Sequence, residues 1–460
     1  MNNKICDKIK LISAPQNYEV IQQTNGKATI EVCGTFVEDH FDDTFQNLTL
    51  DKSLVYARII NEIDNSFATN PTPINMSGND FSVSLENIPC GGPYTLDFIM
   101  LDKDNRLEYH VKGERRYHFC VGDVFVVAGQ SNAAGMGKDI TKDEPEIGIH
   151  VLRNLSVWDI ASYPFNDSDY AKHGMHLTFA KRMKKELGYP IGLIPAAMGA
   201  ASISRWLESE NGDLYIKLKN VICKNKIRFK AVLWYQGCTD AGDKVPGVDY
   251  LTKFTKLTEA FRKDFKNENL PIFTFQLNRM RITGENPLLD RHYDEIREAQ
   301  RIAPSKISNV YVLPAIDGIH MSDFIHLSSA SNKTMGTRLA LKVLKELYGK
   351  GPGIYPPEID SAYLNAENHI TLSFKNVVGY LDDLNSKTNE YPITISDEEG
   401  IVPLRESIIK SNTIEITTDR AIKGKATASG QTGTNPKNII IDFYTQLPMM
   451  CFCDFKIKEI

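Results

Sequence analysis

The sequence predicts an α/β protein: a three-layer α/β/α domain with about five parallel strands, flanked by two β-rich modules. Two observations predict this fold class. In the middle of the chain, compact apolar runs alternate with segments of helical period, which is typical of βαβ units and a parallel sheet. On either side, short runs of alternating apolar and polar residues are separated by turn signals, as in a sandwich. The predicted domains of the 460-residue chain are 1–118, 119–350 and 351–460.

The first module reads as β structure. Residues 28–32, 53–58 and 94–98 alternate apolar and polar side chains, so one face of each strand is expected to be buried. The clusters at 77–80 and 90–93 contain Gly, Pro, Asn or Asp, the residues that turns favour. The spacing predicts an N-terminal sandwich-like module.

The central domain alternates strands and helices. Apolar runs predict parallel strands at 124–128, 191–197, 229–235, 271–277 and 309–314. Segments of helical period predict helices at 174–187, 249–267, 288–302 and 330–348. A boundary follows where Gly-Pro-Gly precedes two prolines, and strand-like runs return at 369–374, 413–416 and 439–443. The tail is therefore predicted to be a second β module.

Composition and charge exclude several classes of partner. The formal net charge is −5 and the isoelectric point is about 6.1, so the chain has no basic field for nucleic acid or an anionic membrane. No apolar run approaches the roughly 20 residues that a membrane span needs. The amino-terminal stretch lacks the apolar segment of a signal peptide. As written, the chain is expected in the cytoplasm, or in the periplasm or outside the cell if a leader was removed.

The eight cysteines are scattered over the chain and form no Cys-x-x-Cys pair, and the ten histidines do not pair with them. This pattern fits neither a small disulfide framework nor a structural zinc site. We therefore expect no metal and no other cofactor, and the sequence leaves the oligomeric state open.

One serine stands where open α/β sheets place their chemistry. The apolar run 124–128 stops at Gly129, and Ser131 follows two residues later among small residues. Ligands in such sheets bind at the carboxyl ends of the strands, and small neighbours let a substrate approach the backbone. Ser131 is the predicted nucleophile, and Gln130 and Asn132, which flank it, are candidates for binding substrate.

A nucleophilic serine needs a base, and the base needs a group that orients it. Two Asp-x-x-His segments follow the fifth predicted strand: Asp317 with His320, and Asp323 with His326. Only one can be the working pair. The second is favoured because serines that can cap a strong helix follow His326 closely, which gives the base a firm mount. The first pair stays open as the alternative.

Donors for a developing oxyanion are expected at the ends of neighbouring strands. The backbone N–H groups of Ser131 and Gly199 are two candidates, because Gly199 follows the second predicted strand. Gln236 ends the third strand with an amide side chain and is the third candidate. Together they put small or donor residues on the sheet edge that carries Ser131.

Four blocks occur in the order GQSNAAGMG, AAMGAASISRW, LWYQG and DFIHLSSASNKTMGTRLA. In these blocks the chain resembles the sialate O-acetylesterase-like branch of the SGNH hydrolases, to which acetyl xylan esterases are related. The resemblance covers the central domain well and the N-terminal module more loosely. It implies that Ser131 is the nucleophile and that Asp323 and His326 are the acid and the base. Gly199 and Gln236 match the oxyanion positions.

Two departures from the family pattern bear on the site. The third block reads QGCTD at 236–240 where the family has Gln-Gly-Glu-Ser, and Gly-Ala-Ala-Ser replaces the usual Gly-Gly-Thr-Ser from Gly199. Asp240 is the candidate to replace the missing glutamate in orienting the site. Cys238 is interpreted as a buried, inert thiol.

The implied activity is that of a serine esterase that removes O-acetyl groups from carbohydrate. Sialate is the first expectation for the substrate, and acetyl xylan or another acetylated glycan is the alternative. Arg205 is a candidate ligand for a sialate carboxylate, and Trp206 a candidate surface for a sugar ring. The departure at Cys238 keeps open a carbohydrate-binding protein with a decayed active site. A lipase or thioesterase needs a long apolar groove, and the alanines near Ser131 argue mildly for a small acyl group instead.

Overall fold

The structure is a computed structural model of the chain, and it describes residues 9–36, 53–104, 108–110, 113–139, 141–166, 172–282, 284–318, 322–383 and 392–459. These residues fold into a β module, an α/β domain and a second β module, in chain order. Within the described stretches, no helix is long and apolar enough to cross a membrane.

The N-terminal module consists of two sheets that line one apolar core. Its strands are β1 (Ile9–Ser13), β2 (Val20–Gln22), β3 (Lys27–Phe36), β4 (Ser53–Asn61), β5 (Thr72–Pro73), β6 (Asn75–Ser77), β7 (Asp80–Pro89), β8 (Gly91–Asp102) and β9 (Glu108–His110). One sheet has the order β1-β3-β7-β6, and the other strands belong to the sheet that continues into the central domain. The predicted alternation holds in β4, where Val55, Ala57 and Ile59 are buried in this core.

One strand joins this module to the central domain. β10 (Arg116–Gly129) pairs with β8 and β2 through its first half and with strands of the parallel sheet through its second half. Residues 119–129 are all buried, as expected for a strand that is covered on both faces. The boundary predicted between residues 118 and 119 therefore falls inside a strand, because the sheet is continuous across it.

The central sheet contains the five predicted parallel strands. They are β10 and the strands numbered β13 (Ile191–Pro195), β14 (Ala231–Tyr235), β15 (Ile272–Phe275) and β16 (Val310–Leu313). β11 (Ile149–Arg153) adds a sixth parallel strand, and β12 (Val157–Ile160) closes that edge antiparallel, giving the order β12-β11-β13-β10-β14-β15-β16. The prediction lacks this edge hairpin, because its short strands are distinguished from a loop only by their tertiary pairing.

Helices cover both faces of the sheet. They are α1 (Ser131–Ala134), α2 (His176–Leu187), α3 (Asp213–Lys224), α4 (Cys238–Gly242), α5 (Gly247–Asp264), α6 (Pro287–Lys306) and α7 (Ser329–Tyr348). α2 packs against α7, and α5 packs against α6, so the helices form two groups. Every residue of β13, β14 and β15 is buried, which requires helices on both sides of the sheet. The predicted helices correspond to α2, α5, α6 and α7, whereas α3 and the short helices α1 and α4 are additional.

The C-terminal module is built from β strands around its own apolar core. Its strands are β17 (Glu358–Ala366), β18 (His369–Lys375), β19 (Leu381–Asp383), β20 (Ile393–Asp397), β21 (Gly400–Val402), β22 (Leu404–Lys410), β23 (Thr413–Thr418), β24 (Thr427–Gly430), β25 (Ile440–Asp442), β26 (Phe452–Lys456) and β27 (Lys458–Glu459). They form two larger sheets, ordered β22-β23-β18-β17-β27 and β21-β20-β24-β26, and the pair β19–β25.

Buried polar side chains fasten this module to the central domain. Arg297 of α6 is fully buried and donates to the carbonyl oxygens of Gly433 at 2.5 Å and Asn278 at 2.9 Å. Gln276 exchanges two hydrogen bonds, of 2.8 and 2.9 Å, with the backbone of Cys451. Since Gln276 and Asn278 follow β15, the module is held against the carboxyl edge of the parallel sheet.

Candidate active site

Ser131 lies at the sharp turn that ends the central strand. Gly129 has a φ of 121°, a conformation that favours glycine, and a Cβ there would lie 2.3 Å from the carbonyl oxygen of Tyr235. The chain then enters α1 at Ser131, which is 6% exposed. As the first helical residue, Ser131 has an N–H without a partner inside the helix. The turn therefore leaves the hydroxyl and the N–H of Ser131 at the carboxyl edge of the sheet.

Gln130 joins two loops of the site. Its Oε1 accepts hydrogen bonds from the N–H groups of Gly237 at 2.9 Å and Thr239 at 3.3 Å, and its Nε2 donates to the Thr239 hydroxyl at 3.3 Å. Gln130 is buried, and its polar atoms are engaged inside the protein. The structure does not support the prediction that Gln130 binds substrate, because this side chain holds the turn after β10 against the loop after β14.

Asn132 links the nucleophile turn to the loop of the predicted base. Its Oδ1 accepts the N–H of Leu327 at 3.1 Å, and its Nδ2 lies 3.5 Å from the carbonyl oxygen of Ile325. These two backbone groups belong to the residues directly before and after His326 in the chain. Asn132 is buried, so the structure assigns it to positioning this loop rather than to the predicted contact with substrate.

Asp323 and His326 are in direct contact. The Nδ1 of His326 lies 2.8 Å from Oδ2 of Asp323, while Oδ1 of Asp323 accepts the N–H groups of Ile325 at 3.0 Å and His326 at 2.8 Å. Burial raises the pKa of Asp323, but hydrogen bonds from Lys138, His326 and the backbone outweigh burial and hold it well below its usual range. An ionised carboxylate only accepts, so Nδ1 carries the proton and Nε2 is left as the basic nitrogen.

The alternative pair is arranged differently. Both carboxylate oxygens of Asp317 accept hydrogen bonds from the guanidinium of Arg338, at 2.7 and 2.6 Å. His320 lies outside the described residues. The Asp–His contact that a triad requires is therefore seen for Asp323 and His326. The predicted serine cap is confirmed, because the Ser328 side chain accepts the N–H of Ser331 at the start of α7.

Asn278 is a site residue that the sequence prediction missed. Its Nδ2 donates to the carbonyl oxygen of Ile325 at 2.8 Å, and its Oδ1 accepts from the hydroxyl of Tyr235 at 2.7 Å and from Nδ2 of Asn132 at 3.2 Å. It therefore supports both the nucleophile turn and the base loop. The available signal was its position, since Asn278 directly follows the fourth predicted strand, as Gln236 follows the third.

Gly199 lies beside the nucleophile turn with an available N–H. The preceding residue, Met198, donates its N–H to the carbonyl oxygen of Gly129 at 3.3 Å, which brings this loop against the end of β10. The N–H of Gly199 makes no hydrogen bond with any of the described residues. A cavity of about 330 Å³ adjoins it, lined among others by Ala134, Met136 and Met198. Gly199 therefore stays a prediction as an oxyanion donor, with an N–H that no described residue engages.

The side-chain amide of Gln236 is not available for the predicted role of oxyanion donor. It is fully buried, and its Nε2 donates both to the carbonyl oxygen of Ala201, at 3.1 Å, and to the carboxylate of Asp240. Both amide hydrogens are therefore used, and none is left for an oxyanion. The Asp240 carboxylate also accepts the N–H of Ile203 at 3.1 Å, so it ties the loop after β13 to the loop after β14.

The side chains of the remaining predicted site residues are buried in the protein or paired with other residues of the chain. Cys238 is buried, and burial raises the pKa of its thiol to about 12, so it stays protonated and is a poor nucleophile. Arg205 pairs with both carboxylate oxygens of Asp213, at 3.0 and 2.5 Å. Trp206 is fully buried and packs edge-to-face on Trp234 at 5.3 Å, so it has no open face for a sugar. The structure supports neither Arg205 nor Trp206 as a substrate contact.

No group of three or more His, Cys, Asp or Glu side chains that could hold a metal ion occurs among the residues described.

Comparisons with known proteins relate the chain to carbohydrate esterases. The family model described as "Carbohydrate esterase, sialic acid-specific acetylesterase" matches residues 121–345. A probable carbohydrate esterase from Arabidopsis thaliana is 29% identical over 245 residues, which cover 47% of this chain and 88% of that protein. The crystal structure of a carbohydrate acetylesterase from Xanthomonas citri has the same fold over 96% of this chain and 98% of its own, with a TM-score of 0.66 at 18% identity. Over residues 121–345, the chain is thus similar to the carbohydrate esterase family of sialic acid-specific acetylesterases.

Proposed function

We propose that the protein is a carbohydrate O-acetylesterase in which Ser131 is the nucleophile, His326 the general base and Asp323 the orienting acid. The observation that carries the proposal is the contact between Asp323 and His326 on a loop that Asn132 binds on both sides of the imidazole. Because Asn132 follows Ser131 directly, this arrangement couples the proposed base to the proposed nucleophile through one buried side chain.

The proposed reaction is two-step acyl transfer. The hydroxyl oxygen of Ser131 attacks the acetyl carbonyl carbon while Nε2 of His326 takes the hydroxyl proton. The resulting tetrahedral intermediate collapses, the bond to the sugar oxygen breaks, and His326 returns the proton to that oxygen. A water molecule, activated by the same imidazole, then hydrolyses the acetyl-enzyme and releases acetate and free Ser131. Asp323 stabilises the imidazolium that forms in each half.

For the oxyanion we propose the N–H groups of Ser131 and Gly199. Both lie at the carboxyl edge of the sheet, and neither has a partner among the described residues. One such donor typically contributes about 10²–10³-fold to the rate. We do not propose Gln236 as an oxyanion donor, because both hydrogens of its side-chain amide bind Ala201 and Asp240.

For the sugar we propose sialic acid, with acetylated xylan and other neutral glycans as the alternative. The description of the matching family supports sialate. Because Arg205 forms an ion pair with Asp213, the candidates for binding the sialate carboxylate are Arg279 and Arg281, which follow β15. Within the described chain, neither forms an ion pair with a carboxylate, and Arg281 donates to the carbonyl oxygen of Asp323 at 3.2 Å. An arginine can bind a sugar carboxylate with two hydrogen bonds.

Acetate release tests the activity and the substrate together. The substrates are O-acetylated sialosides and acetylated xylo-oligosaccharides, and p-nitrophenyl acetate reports on the chemistry alone. We expect Ser131→Ala and His326→Ala to lower kcat/KM about 10³-fold or more. His369→Ala, in the C-terminal module, is the matched control and should behave like the wild type.

Three outcomes would contradict parts of the proposal. Full activity of Ser131→Ala would exclude this nucleophile. An active His326→Ala together with an inactive His320→Ala would move the base to the first Asp-x-x-His segment. Glycan binding without acetate release by the wild type would support the carbohydrate-binding protein with a decayed active site, which the departure at Cys238 keeps open.

A further inference from the structure

The C-terminal module carries an exposed cluster of aromatic side chains. It consists of Tyr380, Phe443 and Tyr444, with Val378 beside them, and we call it the aromatic platform. The exposed fractions are 42% for Tyr380, 44% for Phe443 and 73% for both Tyr444 and Val378. Single exposed apolar residues are ordinary, but grouped ones mark interaction sites.

The rings of the platform pack on each other and on the main chain. Tyr380 and Phe443 stack with their centroids 4.8 Å apart and their planes inclined by 11°. Tyr444 stands edge-on to Phe443 at 6.0 Å. A Cβ at Gly379 would lie 2.0 Å from the Tyr444 ring, so only a glycine lets this ring lie directly over the backbone. The rings are therefore held in place rather than free in solvent.

A buried carboxylate holds the two loops that carry these rings. Asp442 is fully buried at the end of β25 and accepts the N–H groups of Val378 at 2.6 Å, Gly379 at 2.9 Å and Thr445 at 2.8 Å. In addition, the N–H of Phe443 donates to the carbonyl oxygen of Tyr380 at 2.9 Å. The platform is thus formed before any ligand arrives, which lowers the entropic cost of binding.

The platform is also tied to the central domain. The guanidinium of Arg338, which binds both oxygens of Asp317, lies 3.5 Å from the carbonyl oxygen of Gln446 in the turn that follows Tyr444. Asp317 belongs to the loop after β16, which continues to His326. A ligand on the platform is therefore held by a surface that is attached to the domain of the proposed chemistry.

We propose that the aromatic platform binds the sugar rings of the glycan chain that carries the acetyl ester. The proposal rests on the proposed function in taking carbohydrate as the substrate class. A sugar ring has an apolar C–H face and a hydroxyl edge, which match the flat face and the phenolic hydroxyl of Tyr380 and Tyr444. The residues of the platform are uncharged. Its four exposed side chains are also far fewer than the roughly 20–30 residues a side of a stable protein interface.

Affinity electrophoresis in gels that contain a soluble polysaccharide tests this proposal. The probes are xylan, galactomannan, hydroxyethylcellulose and polysialic acid. We expect at least one of them to retard the wild type, and we expect Phe443→Ala and Tyr444→Ala to weaken that binding about ten-fold. Tyr117→Ala is the matched control, because Tyr117 is 43% exposed but lies on the N-terminal module. Hydrolysis of p-nitrophenyl acetate should be unchanged in the platform variants.

Further measurements separate this proposal from the catalytic one. Tyr444→Leu keeps an apolar side chain but loses the flat ring, so it should lose binding while its melting temperature stays near that of the wild type. Ser131→Ala should bind glycan as the wild type does, whether or not the wild type proves to be an esterase. The proposal is overturned if none of the four polymers retards the wild type, or if Tyr444→Ala is retarded equally. A dimer in sedimentation that Tyr444→Ala abolishes would also overturn it, because the occupant would then be a second copy of the chain.

Discussion

The ammonium of Lys138 meets the carboxylate of Asp323 at 2.7 Å, on the same oxygen that contacts Nδ1 of His326 at 2.8 Å. Lys138 lies on the segment that follows α1, and its N–H donates to the hydroxyl of Ser322 at 2.9 Å. Lys138, which follows the turn of the proposed nucleophile, and the imidazole of His326 therefore contact the same carboxylate oxygen of Asp323. The carboxylate oxygen that would stabilise an imidazolium is partly neutralised before that charge forms.

This shared oxygen predicts an effect on stability. The hydrogen bond from Lys138 helps to hold the pKa of Asp323 below its usual range, so the ionised carboxylate stabilises the folded state at neutral pH and this contribution is lost as the pH falls below about 4. In Lys138→Met the bond is missing, so the free energy of unfolding should fall relative to the wild type, and by more at pH 7 than at pH 3 in urea titrations. Lys142→Met, at an exposed lysine, is the control and should show no such difference. A loss in Lys138→Met that is the same at both pH values would contradict this account.

Replacing the aspartate by asparagine should have different effects in the two Asp-x-x-His segments. In Asp323→Asn the side-chain amide can donate to Nδ1, which favours the wrong imidazole tautomer, so kcat/KM should fall about 10³–10⁴-fold. Asp317→Asn weakens the pair with Arg338 and should lower the melting temperature while the folded enzyme stays active. Steady-state hydrolysis of p-nitrophenyl acetate and thermal unfolding measure both effects. A larger catalytic loss in Asp317→Asn than in Asp323→Asn would reverse the assignment.

Asn278 should support both stability and turnover. Asn278→Ala removes the closest donor to the buried carbonyl of Ile325 and the acceptor for Tyr235, so the free energy of unfolding should fall by about 1–3 kcal/mol. Displacement of the base loop should lower kcat/KM about ten-fold or more. Urea unfolding and kinetics below the transition separate the two effects. Asn269→Ala, at an exposed asparagine whose side chain makes one contact of 3.5 Å, is the control. If only stability changes in Asn278→Ala, then Asn278 does not position the base.

The docking of the C-terminal module should depend on pH through Asp294. This residue accepts the N–H of Gly433 at 2.8 Å, and burial raises its pKa to about 7. Between about pH 4 and 7 the native state holds a proton that the unfolded chain has released. Its contribution therefore favours folding at low pH and is lost as the pH rises through 7. The free energy of unfolding of Asp294→Asn, relative to the wild type, should increase from pH 5 to pH 8 in urea titrations. A difference that is the same at both pH values would argue against a raised pKa.

Much of the fold could be predicted because its signals are local. The apolar runs of the central strands and the period of α2, α5, α6 and α7 follow from side chains a few residues apart. The boundary at residue 118 could not be placed, since only the tertiary structure shows that β10 belongs to two modules. The edge hairpin of β11 and β12 likewise depends on pairing with β13.

Within the candidate site, the sequence by itself placed Ser131 just after the end of a strand and favoured the pair of Asp323 and His326, because both features arise within a few residues of chain. Only the tertiary structure decided which hydrogen bonds the other polar side chains make. The side-chain amide of Gln236 donates to Asp240, and Asn132 accepts a hydrogen bond from the loop of His326. The physical reason is that a buried polar group must find a hydrogen-bond partner, and that partner often lies on a distant segment whose position is set by folding.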